Sequence, residues 1–212
     1  MGFAATRIWS DGRISVPLLI LLVAVRSLWA VEDSTQYVGA EKCRQCHSSS
    51  MRGSQFAKWA ETDHRSAYEV LASSVARKIA KEKGIADPQK DRACTACHET
   101  AADVPAKRKA KSFDPGLGIQ CESCHGPGGK HAAARMEGGE EEGDKPIQLM
   151  KGEIIYLPPE ETCLGCHNET SPTYKKFSYK KYLKKVSHPD PRKKYPEDII
   201  DRLVREGAAK PK

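Results

Sequence analysis

The sequence predicts a mainly α fold with extensive loops, compact and organised around something other than its own side chains. Two observations lead there. The 212 residues are only 39% hydrophobic and 7% aromatic, which is lean for a domain of this size. All eight cysteines fall in one pattern that occurs four times: Cys43-Arg-Gln-Cys46-His47, Cys94-Thr-Ala-Cys97-His98, Cys121-Glu-Ser-Cys124-His125 and Cys163-Leu-Gly-Cys166-His167.

Two cysteines three apart on a helical turn can each form a thioether to a haem vinyl group, and the histidine that follows brings its imidazole under the iron. A single copy also fits a zinc knuckle or a redox dithiol. Four copies with histidine in the same place weigh against both, and they leave no thiol for a disulfide. The expectation is four covalently attached haem c groups, with His47, His98, His125 and His167 as proximal iron ligands. Each macrocycle supplies apolar surface that the composition lacks, so the fold class is a compact multihaem cytochrome c fold organised around four covalent haems.

The elements follow in chain order. Arg7 and Arg13 precede an apolar stretch from Ile14 to Val25, with Arg26 and then Ser27-Leu28-Trp29-Ala30 after it. Residues 1–30 read as a secretory signal, with an uncleaved membrane anchor as the alternative, because Leu28 is large for a residue so close to a cleavage point. No run of about 18 apolar residues occurs, which excludes a polytopic membrane protein. Removing residues 1–30 leaves 32 basic and 27 acidic residues, a mild excess that is no nucleic-acid footprint. Residues 31–190 form the tetrahaem domain and 191–212 a charged tail with a short helix at 196–206. Within the domain, helices are expected near 54–83 and 176–187, with helical turns at each motif and solvated loops at 107–111 and 137–145. The first cysteines of successive motifs lie 51, 27 and 42 residues apart with unlike sequence between, so this is one fold with four sites, not a repeat array.

Seven histidines are present, and three remain after the proximal set. His64 lies on a stripe of Phe56, Trp59, Ala60, Tyr68, Leu71, Val75 and Ile79 at helical spacing, on one helix or a pair. His131 follows His125 through Gly126-Pro127-Gly128-Gly129-Lys130, a turn-forming run that makes return to the same haem awkward and favours a neighbouring one. His188 ends a short apolar pattern before Pro189. Each is a candidate distal ligand. A hydrogen-bonded core histidine is the alternative for His64, and an exposed tail histidine for His188. Three distal imidazoles cannot serve four irons, so one haem is five-coordinate or takes another ligand, such as Met51, Met136 or Met150.

Most of residues 38–190 resembles the tetrahaem cytochrome c-554 family of exported electron carriers. The resemblance rests on Tyr37-Val-Gly-Ala-Glu-Lys-Cys43, on Trp59 with His64 and Ala67, on Gly118-Ile-Gln-Cys-Glu-Ser-Cys-His-Gly-Pro-Gly128, and on Phe177 to His188. It implies helix and loop around stacked and near-perpendicular haem pairs. By position it also implies that His131 ligates the first haem, His188 the third and His64 the fourth, leaving the haem on Cys94, Cys97 and His98 open. Nothing after 190 carries the resemblance.

Two function classes follow. The first is electron transfer between periplasmic or membrane-associated redox partners. There Lys175, Lys176, Lys180, Lys181, Lys184 and Lys185, beside Phe177, Tyr179 and Tyr182, would steer an acidic donor or acceptor, the alternative being a merely solvated lysine face. The second is reduction of a small ligand such as nitric oxide at the open iron. That class also needs proton donors, which the sequence does not identify. A zinc-binding interaction module is a third reading only for a chain that never receives haem.

Overall fold

A computed structural model of the chain describes residues 1, 36–137 and 152–190. The chain divides into two compact units, Met1–Glu32 and Asp33–Lys212, and the description below concerns the second. The expected signal segment apart from Met1, the loop at 138–145 and the tail helix at 196–206 lie outside the described residues.

The described residues are mainly helical and contain no strand. The helices are α1 (Ala40–His47), α2 (Gln55–Ala60), α3 (Ser74–Glu82), α4 (Arg92–His98), α5 (Cys121–His125), α6 (Gly129–Glu137), α7 (Glu160–Leu164) and α8 (Tyr179–Val186). Short 3-10 turns occupy Ser50–Arg52, Glu69–Ala72, Ala106–Arg108 and Pro115–Leu117. α1 packs against α2 and α5, and α5 against α7. A single helical turn has little stability of its own, so these short pieces need tertiary partners.

The helix expected over 54–83 is broken into three pieces, and hydrogen bonding explains the break. Between α2 and the turn at 69–72, the backbone closes tight turns, Arg65 N–H to the Thr62 carbonyl at 3.1 Å and Ala67 N–H to the His64 carbonyl at 3.2 Å. The His64 carbonyl also accepts from Ile119 N–H at 2.9 Å. The Ala67 carbonyl meets the His98 ring at 2.6 Å. Carbonyls committed to distant partners do not continue a helix ladder. Ser73 then starts α3 afresh, its hydroxyl accepting from Ala76 N–H at 3.1 Å.

The loop expected to be solvated at 107–111 is tied down. Tyr37 pairs with Lys109 in an isolated parallel bridge, through Tyr37 N–H to the Arg108 carbonyl and Ala110 N–H to the Tyr37 carbonyl, both 2.8 Å. The Lys109 side chain is only 19% exposed, 3.3 Å from Glu99, with its ammonium over the Phe113 ring. Packing of the lysine stem on an aromatic and pairing of its head explain why a basic cluster is not simply a solvent face.

The buried apolar residues among those described are Val38, Ala40, Trp59, Leu71, Ala80, Phe113, Tyr179 and Leu183. Two are alanines, and fully burying one of the larger side chains contributes about 1.5–3 kcal/mol. Alongside them sit the polar residues Thr95, Thr100, Gln120, Glu122 and Glu153. So small an apolar set agrees with the lean composition: side chains alone fill little of the interior described here.

Candidate haem sites

The fold brings six of the seven histidines together in pairs. His47 at the end of α1 faces His131 of α6 with ring centroids 6.1 Å apart. His64 faces His167 at 6.0 Å, and His125 at the end of α5 faces His188 at 5.9 Å. An imidazole nitrogen sits about 2 Å from a first-row metal ion, so rings bound on opposite sides of one ion have centroids about 6 Å apart. Each pair therefore has the spacing of two axial ligands on one iron. The seventh histidine, His98, ends α4. Among the described residues no group of three or more His, Cys, Asp or Glu side chains is placed to hold a bare metal ion.

The orientation of the rings is set from behind. His98 Nδ1 lies 2.6 Å from the Ala67 carbonyl, His125 Nδ1 2.6 Å from the Ile155 carbonyl, and His188 Nδ1 2.7 Å from the Val186 carbonyl. His131 Nδ1 lies 2.7 Å from the Glu153 carboxylate. A ring that donates through Nδ1 presents an unprotonated Nε2 to a metal, with tautomer and direction both fixed. Burial lowers the pKa of His47, His64, His125 and His167. The partner imidazole lowers it further for His47, His64 and His125. Neutral imidazole is the form that binds iron.

None of the eight cysteines is in a disulfide. Their sulfurs instead lie near those of other motifs. The Cys43 thiol donates to the Gly39 carbonyl at 3.4 Å; its interaction with Cys121, together with burial, raises its pKa, and the same interaction lowers that of Cys121 against the effect of burial. Cys124 is pushed up to about 11 by burial and by the negative charge of Cys163 and Cys121. Cys166 is pushed up to about 12 by burial and by Cys97, with Cys124 and Cys163 behind. A thioether neither titrates nor donates, so for the haem-bearing chain these contacts report which attachment points adjoin.

Two residues at the third motif, Glu122 within it and Gln120 just before it, build the first. Glu122, buried, accepts from Val38 N–H and Gly39 N–H at 2.8 Å and from Gly128 N–H at 2.7 Å. Burial raises its carboxyl pKa while these three N–H groups pull it back. Gln120 accepts from Ala40 N–H at 2.7 Å and donates to the Asp114 carbonyl at 2.8 Å. The N–H groups that no helix can satisfy internally at the start of α1 are thus taken by side chains from the third site. Gly118 does comparable work for the second and fourth. Its φ is +67°, and a Cβ there would lie 2.6 Å from the His64 carbonyl oxygen and 3.0 Å from Ala67 N. Trp59 is fastened to the same strip, its indole N–H donating to the Ile119 carbonyl at 2.7 Å.

Gly118, Gln120 and Glu122 stand within or beside the third motif, where the sequence alone gives none of them a role, and Glu153 belongs to no pattern at all. Of the methionines, Met51 is 73% and Met136 67% exposed. The Met136 sulfur accepts from the Lys42 ammonium at 3.2 Å, and Met150 lies outside the described residues. Just before α8, Phe177 stacks on His167 at 4.9 Å and on Tyr182 of the helix at 5.2 Å, and the ammonium groups of Lys181 and Lys185 lie over the Tyr182 ring.

Cysteine pairs followed by histidine on short helical turns, with imidazoles facing one another at the spacing of an axial pair, define a c-type cytochrome, a protein that carries covalent haem c. Residues 42–126 match the family model for cytochrome c554 and c-prime. Cytochrome c-554 of Nitrosomonas europaea is 33% identical over 142 residues, 62% of this chain and 57% of that protein. The chain is similar to the cytochrome c-554 family over these residues, and its match spans little more than half the length of that relative. No solved structure matches it.

Proposed function

We propose that the chain is an exported tetrahaem cytochrome that passes electrons between periplasmic or membrane-associated redox proteins, with residues 1–30 as its signal and 31–190 as the haem domain. The observation that carries this reading is the facing of His47 with His131, His64 with His167 and His125 with His188 at about 6 Å. In this reading His131, His64 and His188 are the distal ligands of the first, fourth and third haems. Cys43 and Cys46, Cys94 and Cys97, Cys121 and Cys124, and Cys163 and Cys166 hold the four macrocycles by thioethers. Bound haem supplies reversible one-electron iron chemistry, and two imidazoles per iron suit low potentials. The close approach of Cys43 to Cys121 and of Cys97 to Cys166, and the electrostatic influence of Cys163 on Cys124, support an order in space of first, third, fourth, second. The second haem then ends the row.

The lysines of α8 and the two before it flank the aromatic stack from His167, which supports an acidic donor or acceptor docking beside the fourth haem. Reversing the charge of Lys180 and Lys184 should slow electron exchange with an acidic partner at low salt and change little at high salt; equal rates at low salt would remove this docking face.

A specific observation favours a second reading, reduction of a small ligand such as nitric oxide. His98 is turned by the Ala67 carbonyl, and the other six histidines are taken by the three facing pairs. Low-temperature electron paramagnetic resonance of the oxidised holoprotein, repeated with nitric oxide after reduction, tests both readings. Three low-spin haems and one high-spin haem that binds the gas are expected. Four low-spin haems with no adduct would close the second iron and leave electron transfer alone. Intact-mass measurement of a red product with four haem additions checks the cofactor count, and a colourless zinc-loaded product would overturn it.

A further inference from the structure

We propose that Glu153 is the positioning residue of His131 and holds the potential of the first haem down. The inference rests on His131 being that haem's distal ligand. Glu153 is 2% exposed and belongs to none of the four motifs. Its Oε1 meets His131 Nδ1 at 2.7 Å, Arg135 Nε at 3.1 Å and an Arg135 terminal nitrogen at 2.5 Å. His131 and Arg135 are four apart on α6, so they share one face of the helix, and one carboxylate oxygen gathers both.

Burying a carboxylate costs several kcal/mol unless it is paired and hydrogen-bonded. The Arg135 ion pair alone would meet that requirement, and a purely structural bridge would need nothing more. The same oxygen nevertheless takes the ring nitrogen of His131, whose ring faces His47. His98, His125 and His188 turn Nδ1 to main-chain carbonyls instead. A neutral carbonyl orients a ring. A carboxylate also draws the Nδ1 proton toward itself, makes the imidazole more basic, and so stabilises the ferric over the ferrous state. Arg135 bonds the same oxygen through two nitrogens, which offsets its negative charge and fixes the carboxylate in place against the ring. The first haem is thus set apart from the third by the partner of its distal ligand, at two sites whose sulfurs adjoin.

The test uses the full-length holoprotein and compares Glu153→Gln, Glu153→Ala and His131→Ala by spectropotentiometric titration and electron paramagnetic resonance. Glu153→Gln keeps an acceptor of the same shape. It should leave the low-spin count unchanged while one midpoint potential moves upward and the others stay. Glu153→Ala should make part of one haem high-spin, and His131→Ala all of it. Unchanged potentials in Glu153→Gln, with a fully low-spin first haem in Glu153→Ala, would overturn the inference. If His131→Ala yields no new high-spin haem, the ligand assignment beneath it fails instead. Should the Glu153 variants not mature, the ring proton of His131 in the oxidised wild-type protein decides. A strongly downfield, exchange-protected Nδ1 proton supports the inference, and one that exchanges within the dead time overturns it.

Discussion

The first and second attachment sites are built by different means. At the first, side chains do the fastening: Glu122 and Gln120 take the N–H groups of Val38, Gly39 and Ala40, and Glu153 holds the histidine that faces His47. At the second, the fastening is local and mostly main chain. Asp91 caps α4 by accepting from Ala93 N–H at 2.8 Å, the Ala67 carbonyl turns His98, and Thr100 just beyond bonds the Gly118 carbonyl through both N–H and hydroxyl at 3.0 Å. A carboxylate reaching in from elsewhere in the chain can fix two faces of a site at once. A carbonyl behind one imidazole fixes a single face and makes no demand on the other. The second motif therefore combines a histidine ring aimed by a carbonyl with a place outside the three facing pairs.

Turning a paired site into an unpaired one breaks this contrast most directly. His188→Ala should convert the third haem from low to high spin with its thioethers intact. The reduced variant should then take up two equivalents of nitric oxide where the parent takes up one, read by resonance and by gas titration. An unchanged low-spin count would remove His188 from the ligand set.

The next effect in size is expected where two sites share one strip of backbone. Gly118→Ala places a methyl 2.6 Å from the His64 carbonyl oxygen and demands a positive φ that alanine resists, so the segment carrying both His64 and Ala67 must move. A loss of about 2–3 kcal/mol follows from strain and overpacking together. Thermal unfolding measures it, and an unshifted melting temperature would show that the strip yields without cost.

Glu122→Gln tests the side-chain fastening of the first site. A carboxylate accepts on both oxygens, whereas an amide turns one of them into a donor that faces a backbone N–H. Leaving buried N–H groups unsatisfied costs about 1–3 kcal/mol. Denaturant unfolding reads that cost, and protection of the Val38 to Ala40 amides from hydrogen exchange should fall with it. Equal stability of the two proteins would mean that these N–H groups find other acceptors.

What the sequence made legible was the chemistry of the motifs. Four motifs of fixed spacing point to haem attachment because one pentapeptide carries both cysteines and the histidine after them, and of the seven histidines His98 stands outside the three facing pairs. The stripe through Phe56, Trp59 and His64 was legible as apolar spacing but not as three separate pieces. The break comes from carbonyls drawn off to Ile119 and His98, which lie far away in sequence. Lys109 looked like part of a solvated cluster because its partners, Glu99 and Phe113, lie on either side at no periodic spacing. Glu153 left no local trace, since a buried carboxylate is recognisable only by what it meets.

The smallest expected effect separates what holds α4 from what holds α1. Asp91→Ala removes the cap of a seven-residue helix, a change worth about 1 kcal/mol where the helix end is otherwise free to fray. In the haem-bearing protein that end is not free. Cys94 lies three residues beyond the cap and is tethered by its thioether, while His98 at the other end is held by the Ala67 carbonyl. The unfolding free energy of the holoprotein should therefore fall by less than about 1 kcal/mol, and the fraction of haem that binds nitric oxide should stay at one in four. A larger loss, or a change in that fraction, would show that the second site depends on its helix as the first depends on Glu122. The difference between a locally held and a remotely held site would then disappear.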